Sequence, residues 1–105
     1  MNNFIAVYKI LSALEKAMDL PTFNAEMISP KIIGVSEERW KKYIEMMADV
    51  GYIKGVEIES YVSGDIDVDI ENIKITLKGL EYLQENSAMR KAYKVVKGIR
   101  DIAPV

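Results

Sequence analysis

Between residues 29 and 36 the chain reads SPKIIGVS, and this short stretch constrains the fold more than any other. Ser29 followed by Pro30 is a helix start, because proline's missing N–H is one that the first turn leaves unpaired anyway. Gly34 suits the left-handed conformation that closes a helix, so only a one-turn helix fits between them. Ser36 then caps a second helix, with Glu37 and Glu38 beside the partial positive charge of its first turn. Trp40, Tyr43, Ile44 and Met47 form an apolar stripe along it, Val50 joins at the end, and Gly51 stops it. Residues 24–50 therefore read as short helix, tight turn, longer helix, the order of a helix-turn-helix.

The flanking segments extend this order. Residues 3–19 carry Phe4, Val7, Tyr8, Leu11, Leu14 and Met18 at helical spacing, with Asn2 or Asn3 as cap and Leu20-Pro21 as the end. After Gly51, YIKGVEIES alternates as a strand around Gly55, with Ile53, Val56 and Ile58 inward. SYVSGD supplies turn residues, DIDVDI alternates again, IKIT follows, and Thr76 caps a helix through LKGLEYLQEN. The last segment, SAMRKAYKVVKGIRDI, starts at Ser87 and places Met89, Ala92, Val96 and Ile99 at 3-4-3 spacing. The expected fold is α+β: a winged helix-turn-helix of three helices and a two- or three-stranded wing, with two C-terminal helices. Residues 1–105 make one such domain, with 87–103 as an appended amphipathic helix.

The chain has neither cysteine nor histidine. Zinc sites of the usual tetrahedral kind, thiol nucleophiles and serine–histidine triads are therefore excluded, and no catalytic residue or cofactor is expected. The lack of cysteine agrees with a cytoplasmic location. No apolar run approaches the length of a membrane span, so no membrane partner is expected, and no small-molecule site is evident.

DIDVDIE, residues 65–71, resembles the start of a calcium-binding loop, but Ile70 and Thr76 stand where that loop needs glycine and a bidentate acid. The simpler reading is a wing strand with Asp65, Asp67 and Asp69 toward water and Ile66, Val68 and Ile70 toward the core. Trp40, flanked by Ile44 and Met47, reads as core rather than as a stacking platform for bases. Tyr61 is the aromatic left outside.

ITLKGLEYL at 75–83 resembles the strand-to-helix exit that follows the wing of many bacterial winged-helix domains. Together with IGVSEERW at 33–40, GYIKGV at 51–56, ITLKGLEYLQEN at 75–86 and AYKVVKGIRD at 92–101, the chain resembles the YjcQ family of Gram-positive bacteria and their phages. The resemblance implies a winged-helix fold and carries no catalytic residue, cofactor or biochemical function.

Two functions stay open. The first is a small DNA-binding or transcription-regulatory protein of phage or prophage type. It would meet double-stranded DNA through Lys31, Arg39, Lys41, Lys42 and Lys54, and dimerise through Met89, Ala92, Val96 and Ile99. The second is a protein–protein interaction module that keeps the scaffold without reading DNA. Charge placement bears on the choice: residues 1–73 hold seven bases against thirteen acids, and residues 74–105 hold seven against three. A continuous basic strip along the second helix favours DNA, whose affinity rests on neutralised phosphates. A strip interrupted by Glu38 and Glu45 favours a protein partner.

Overall fold

The computed structural model describes residues 2–86 and Ala88. Among these the chain is α+β, with four α-helices, one 3-10 turn and four short strands. Helix α1 spans Asn3–Ala17 and is capped by Asn2, whose side-chain oxygen accepts from the N–H groups of Phe4 and Ile5. A 3-10 turn at Ala25–Ile28 leads into α2, Pro30–Ile33. Helix α3, Glu37–Val50, follows after the Gly34 turn. The cap residues behave as their chemistry requires. The Ser29 hydroxyl accepts from the Ile32 N–H and the Ser36 hydroxyl from the Arg39 N–H, and Gly34 and Gly51 close their helices at φ +90°.

Four strands follow: β1 Ile53–Lys54, β2 Glu57–Ser60, β3 Ile66–Asp69 and β4 Lys74–Ile75. They form two separate antiparallel ladders, β1 with β4 and β2 with β3. The continuous strand expected over 53–58 is thus broken in two. Gly55 makes the break at φ +81°, where its Cα lies so close to the Asn72 carbonyl that any side chain would collide with it. Helix α4, Leu77–Glu85, is capped by Thr76.

The core is one cluster. Ile10, Leu11, Ile28, Ile33 and Ile44 are its most enclosed large side chains, and Trp40, Tyr43, Met47, Ile53, Ile73 and Leu83 surround them. Each such burial contributes about 1.5–3 kcal/mol. Trp40 donates its indole N–H to the Ile28 carbonyl at 2.7 Å, which ties α3 to the 3-10 turn and satisfies the ring's polar atom. The stripe of α1 differs from the expected one by a rotation. Ile5, Ala6, Tyr8, Ile10, Leu11 and Leu14 are inside, whereas Phe4 and Met18 face out. Hydrophobic spacing fixes a stripe only to within a neighbouring position, and contacts with α4, β4 and the 3-10 turn decide which neighbour is covered.

Ile58 and Val68 pair across the β2–β3 ladder and are half-buried, while Asp65, Asp67 and Asp69 are exposed. No helix among the described residues is long and apolar enough to cross a membrane. The segment 89–105, with Met89, Ala92, Val96 and Ile99, lies outside the described residues.

Candidate functional site

Helix α3 presents three surfaces, and each has a different chemistry. Its wing side carries Glu37, Trp40 and Lys41, because the β2–β3 hairpin lies alongside it. The cleft between them has a volume of about 560 Å³ and is lined by Lys41 together with Glu37, Glu57, Glu59, Asp67 and Asp69. Within the ladder Glu57 stands opposite Asp69 and Glu59 opposite Asp67. Directly opposed like charges repel, so this hairpin is held by its Ile58–Val68 pair and its backbone ladder in spite of its carboxylates. The Lys41 side chain is only 17 % exposed, and its Nζ lies 3.9 Å from Glu37 Oε2. Lys41 thus sits inside an acidic cleft, where it offsets carboxylate repulsion.

The tip of the hairpin is built on Tyr61. Its hydroxyl donates to Asp67 Oδ2 at 2.7 Å and lies 3.3 Å from Glu59 Oε1. That hydrogen bond to Asp67, followed by desolvation and the charges of Asp67 and Glu59, pushes the phenol up to about 12. A smaller cleft of about 320 Å³ runs between Tyr61 and Asp65 at the tip and Glu38, Lys42 and Glu45 of α3.

The outward surface of α3 reads Glu38, Lys42, Glu45 and Asp49 at helical spacing. Three acids interrupt the one base. Of the other expected DNA contacts, Arg39 lines one groove together with Lys42, whereas Lys31 and Lys54 lie on other elements. Arg39 turns to the opposite side from Lys41 and donates from Nη1 to Asn3 Oδ1 at 2.9 Å. Lys31 is exposed on α2, and Lys54 is exposed in β1 opposite Lys74 of β4.

The third surface was not singled out by the spacing of the sequence. A groove of about 690 Å³ lies between the start of α1, the length of α3, and the rings of Tyr52 and Tyr82. Its apolar floor and walls include Phe4 and Val7 of α1 with Met46, Met47 and Val50 of α3. Phe4 is 61 % exposed, Met46 53 % and Val50 48 %, so large apolar side chains gather here without cover from the rest of the described chain. Val50, expected within the stripe of α3, instead lies at this open edge. Tyr52 and Tyr82 close one end with ring centroids 4.9 Å apart at a 43° tilt. Burial pushes the Tyr82 phenol up. Asn3 shapes the other end, since its side-chain oxygen also accepts from the Tyr43 hydroxyl. A sequence signal for the groove did exist: Met46 and Val50 are apolar at i,i+4, one position off the core stripe.

The model of the family described as "YjcQ protein" matches residues 8–102. The chain belongs to the YjcQ family. It is 34 % identical over 74 residues to "Uncharacterized protein YjcQ" of Bacillus subtilis (strain 168), covering 70 % of this chain and 76 % of that one. No solved structure matches the chain. The YjcQ resemblance expected from ITLKGLEYL and its companion strings is thereby established, and the structure explains that motif in physical terms. Thr76 caps α4 by accepting from the Gly79 N–H, and Gly79 packs directly on the Tyr52 carbonyl. Tyr82 supplies a ring to the groove's closed end. In this YjcQ chain the string is a joint between α3 and α4.

Proposed function

We propose that the chain is a protein–protein interaction module built on a winged-helix scaffold, with the groove between α1 and α3 as its binding face. The observation that carries this reading is the cluster of exposed Phe4, Met46 and Val50 within a concave apolar groove. Clustered exposed apolar side chains in a cleft are a mark of partner binding. The winged-helix assignment rests on element order: α1, α2, α3, a strand pair enclosing a hairpin, then α4. An apolar groove lined along α3 suits an amphipathic helix with anchors at i, i+3 or i+4, and i+7. Met46→Lys with Phe4→Lys tests it by cross-linking to host proteins. Loss of a specific cross-linked partner is expected, with Lys41→Glu keeping it.

The second reading is a small DNA-binding regulator of phage or prophage type, dimeric through Met89, Ala92, Val96 and Ile99. It is favoured by the short helix, tight turn and longer helix at residues 30–50 and by exposed Lys31 and Lys42. Against it stand Glu38, Glu45 and Asp49 on α3 and the acidic hairpin beside them, because binding to duplex DNA depends on phosphate neutralisation. Salt-sensitive gel retardation by duplex DNA, abolished by Lys31→Glu with Lys42→Glu, would establish this reading and displace the first.

A further inference from the structure

Charge is confined to one end of the groove. Glu38, Arg39 and Lys42 line the part beside Asn3 and the start of α3, whereas Met46, Met47 and Val50 line the part toward Tyr52 and Tyr82. Among the described residues the one ion pair joins Lys41 to Glu37, on the hairpin side of α3. Arg39 and Lys42 therefore face the groove without a carboxylate partner. We infer that the groove takes an acidic amphipathic helix of another protein. Its apolar anchors would meet Phe4, Met46 and Val50, and carboxylates at one of its ends would meet Arg39 and Lys42. Resting on the interaction reading above, this gives the partner a charge as well as a shape.

Arg39 is set for such a contact. Its Nη1 donates to Asn3 Oδ1 at 2.9 Å, which holds the guanidinium on the groove wall. A guanidinium carries five N–H donors in a planar fork that matches a carboxylate, so this bond leaves the pairing capacity largely unused. Lys42 is exposed three residues further on, about one helical turn away. Two bases against the single acid Glu38 leave this end of the groove positive, although the chain as a whole carries a net charge of −2.

The apolar part narrows the class of anion. Duplex DNA offers phosphates but no surface that would cover Phe4, Met46 and Val50. An amphipathic helix offers both, and the 14 residues of α3 give it a wall of about 21 Å to lie against, or about four turns. The two ends then divide the work. Burial of the anchors supplies affinity, and the bases select the partner and speed its approach. Phe, Tyr, Met and Arg are also the side chains enriched where proteins meet.

A displayed library of amphipathic peptides as long as α3 tests this against the full chain. Apolar anchors are fixed at i, i+4 and i+7, and the remaining positions are randomised among Glu, Lys, Gln and Ala. Recovered peptides are expected to be enriched in Glu at one end. One of them, fluorescently labelled, should bind Lys42→Glu roughly fivefold more weakly, and Arg39→Glu with Lys42→Glu about tenfold or more. The same peptide with its Glu residues changed to Lys should regain affinity for the double variant. Arg39→Glu also gives up the Asn3 contact, so Lys42→Glu alone decides if the double variant fails to fold. Neutral or basic peptides that still lose binding to Met46→Lys with Phe4→Lys would overturn the acidic partner and leave the groove reading standing. Peptides indifferent to that pair of changes, or no recovered peptide, would overturn both. Retardation of a duplex oligonucleotide that Lys42→Glu abolishes would overturn the proposal by assigning the two bases to phosphates.

Discussion

The Thr76 hydroxyl donates to the carbonyl of Gly51, the residue that ends α3, while its oxygen accepts from the Gly79 N–H at the start of α4. One side chain therefore satisfies the end of one helix and the beginning of another, 25 residues apart in sequence. Thr76→Ala removes both interactions. The expected loss is about 1–3 kcal/mol, the sum of a cap and an unsatisfied carbonyl, with Thr76→Ser keeping most of it. Urea unfolding of the three proteins measures the difference, and equal midpoints for wild type and Thr76→Ala would refute the double role.

Gly79 is expected to tolerate no side chain. An added Cβ would meet the Tyr52 carbonyl and come within 2.7 Å of Ile75 Cγ1, and the carbonyl belongs to rigid backbone. Although alanine is the better helix former, Gly79→Ala should destabilise by roughly 1–3 kcal/mol through overpacking. Thermal unfolding decides the sign, and a rise in midpoint would show that α4 can shift away.

Tyr61 gives the hairpin a pH dependence at its alkaline end. Its phenol is raised from 10.0 to about 12 in the fold, so the neutral form is the one the hairpin favours. The stabilisation is fully present below pH 10 and is lost as pH rises through about 12. Titration followed by tyrosine ring chemical shifts should find Tyr61 ionising late. Asp67→Asn should bring it down toward the ordinary value, because the hydrogen bond to Asp67 is the leading cause. Early ionisation in the wild type would break this account.

Groove and core positions on α3 should respond to truncation to very different degrees. Ile44 is fully enclosed, and Ile44→Ala is expected to lose about 2–5 kcal/mol. Met46 is two residues away and half in water, so Met46→Ser should stay within about 0.5 kcal/mol of the wild type. Denaturant midpoints of the two variants measure the difference, and a loss for Met46→Ser as large as that for Ile44→Ala would refute it.

The parts of the fold legible in the sequence were those set by local chemistry. Ser29, Gly34, Ser36, Gly51 and Thr76 act within three or four residues of themselves, and all five start or stop a helix where their side chains dictate. The break at Gly55 was not legible, because it depends on the Asn72 carbonyl, which arrives from across a ladder. Lys41 looked available for the same reason. Its enclosure follows from where the β2–β3 hairpin lies, and no spacing within α3 encodes that. The groove escaped notice because Phe4 and Val50 are ordinary stripe residues until α1 and α3 meet at an angle that leaves both at an edge.

Asn3 holds that angle. One carboxamide oxygen receives Arg39 and Tyr43, two donors a helical turn apart on α3, from a residue in the first turn of α1. The two walls of the groove are thereby fastened to each other at one end, while Tyr52 and Tyr82 close the opposite end. Under the reading proposed above, a partner helix entering it would meet walls already fixed, so its affinity would be governed by the rigidity of the guest.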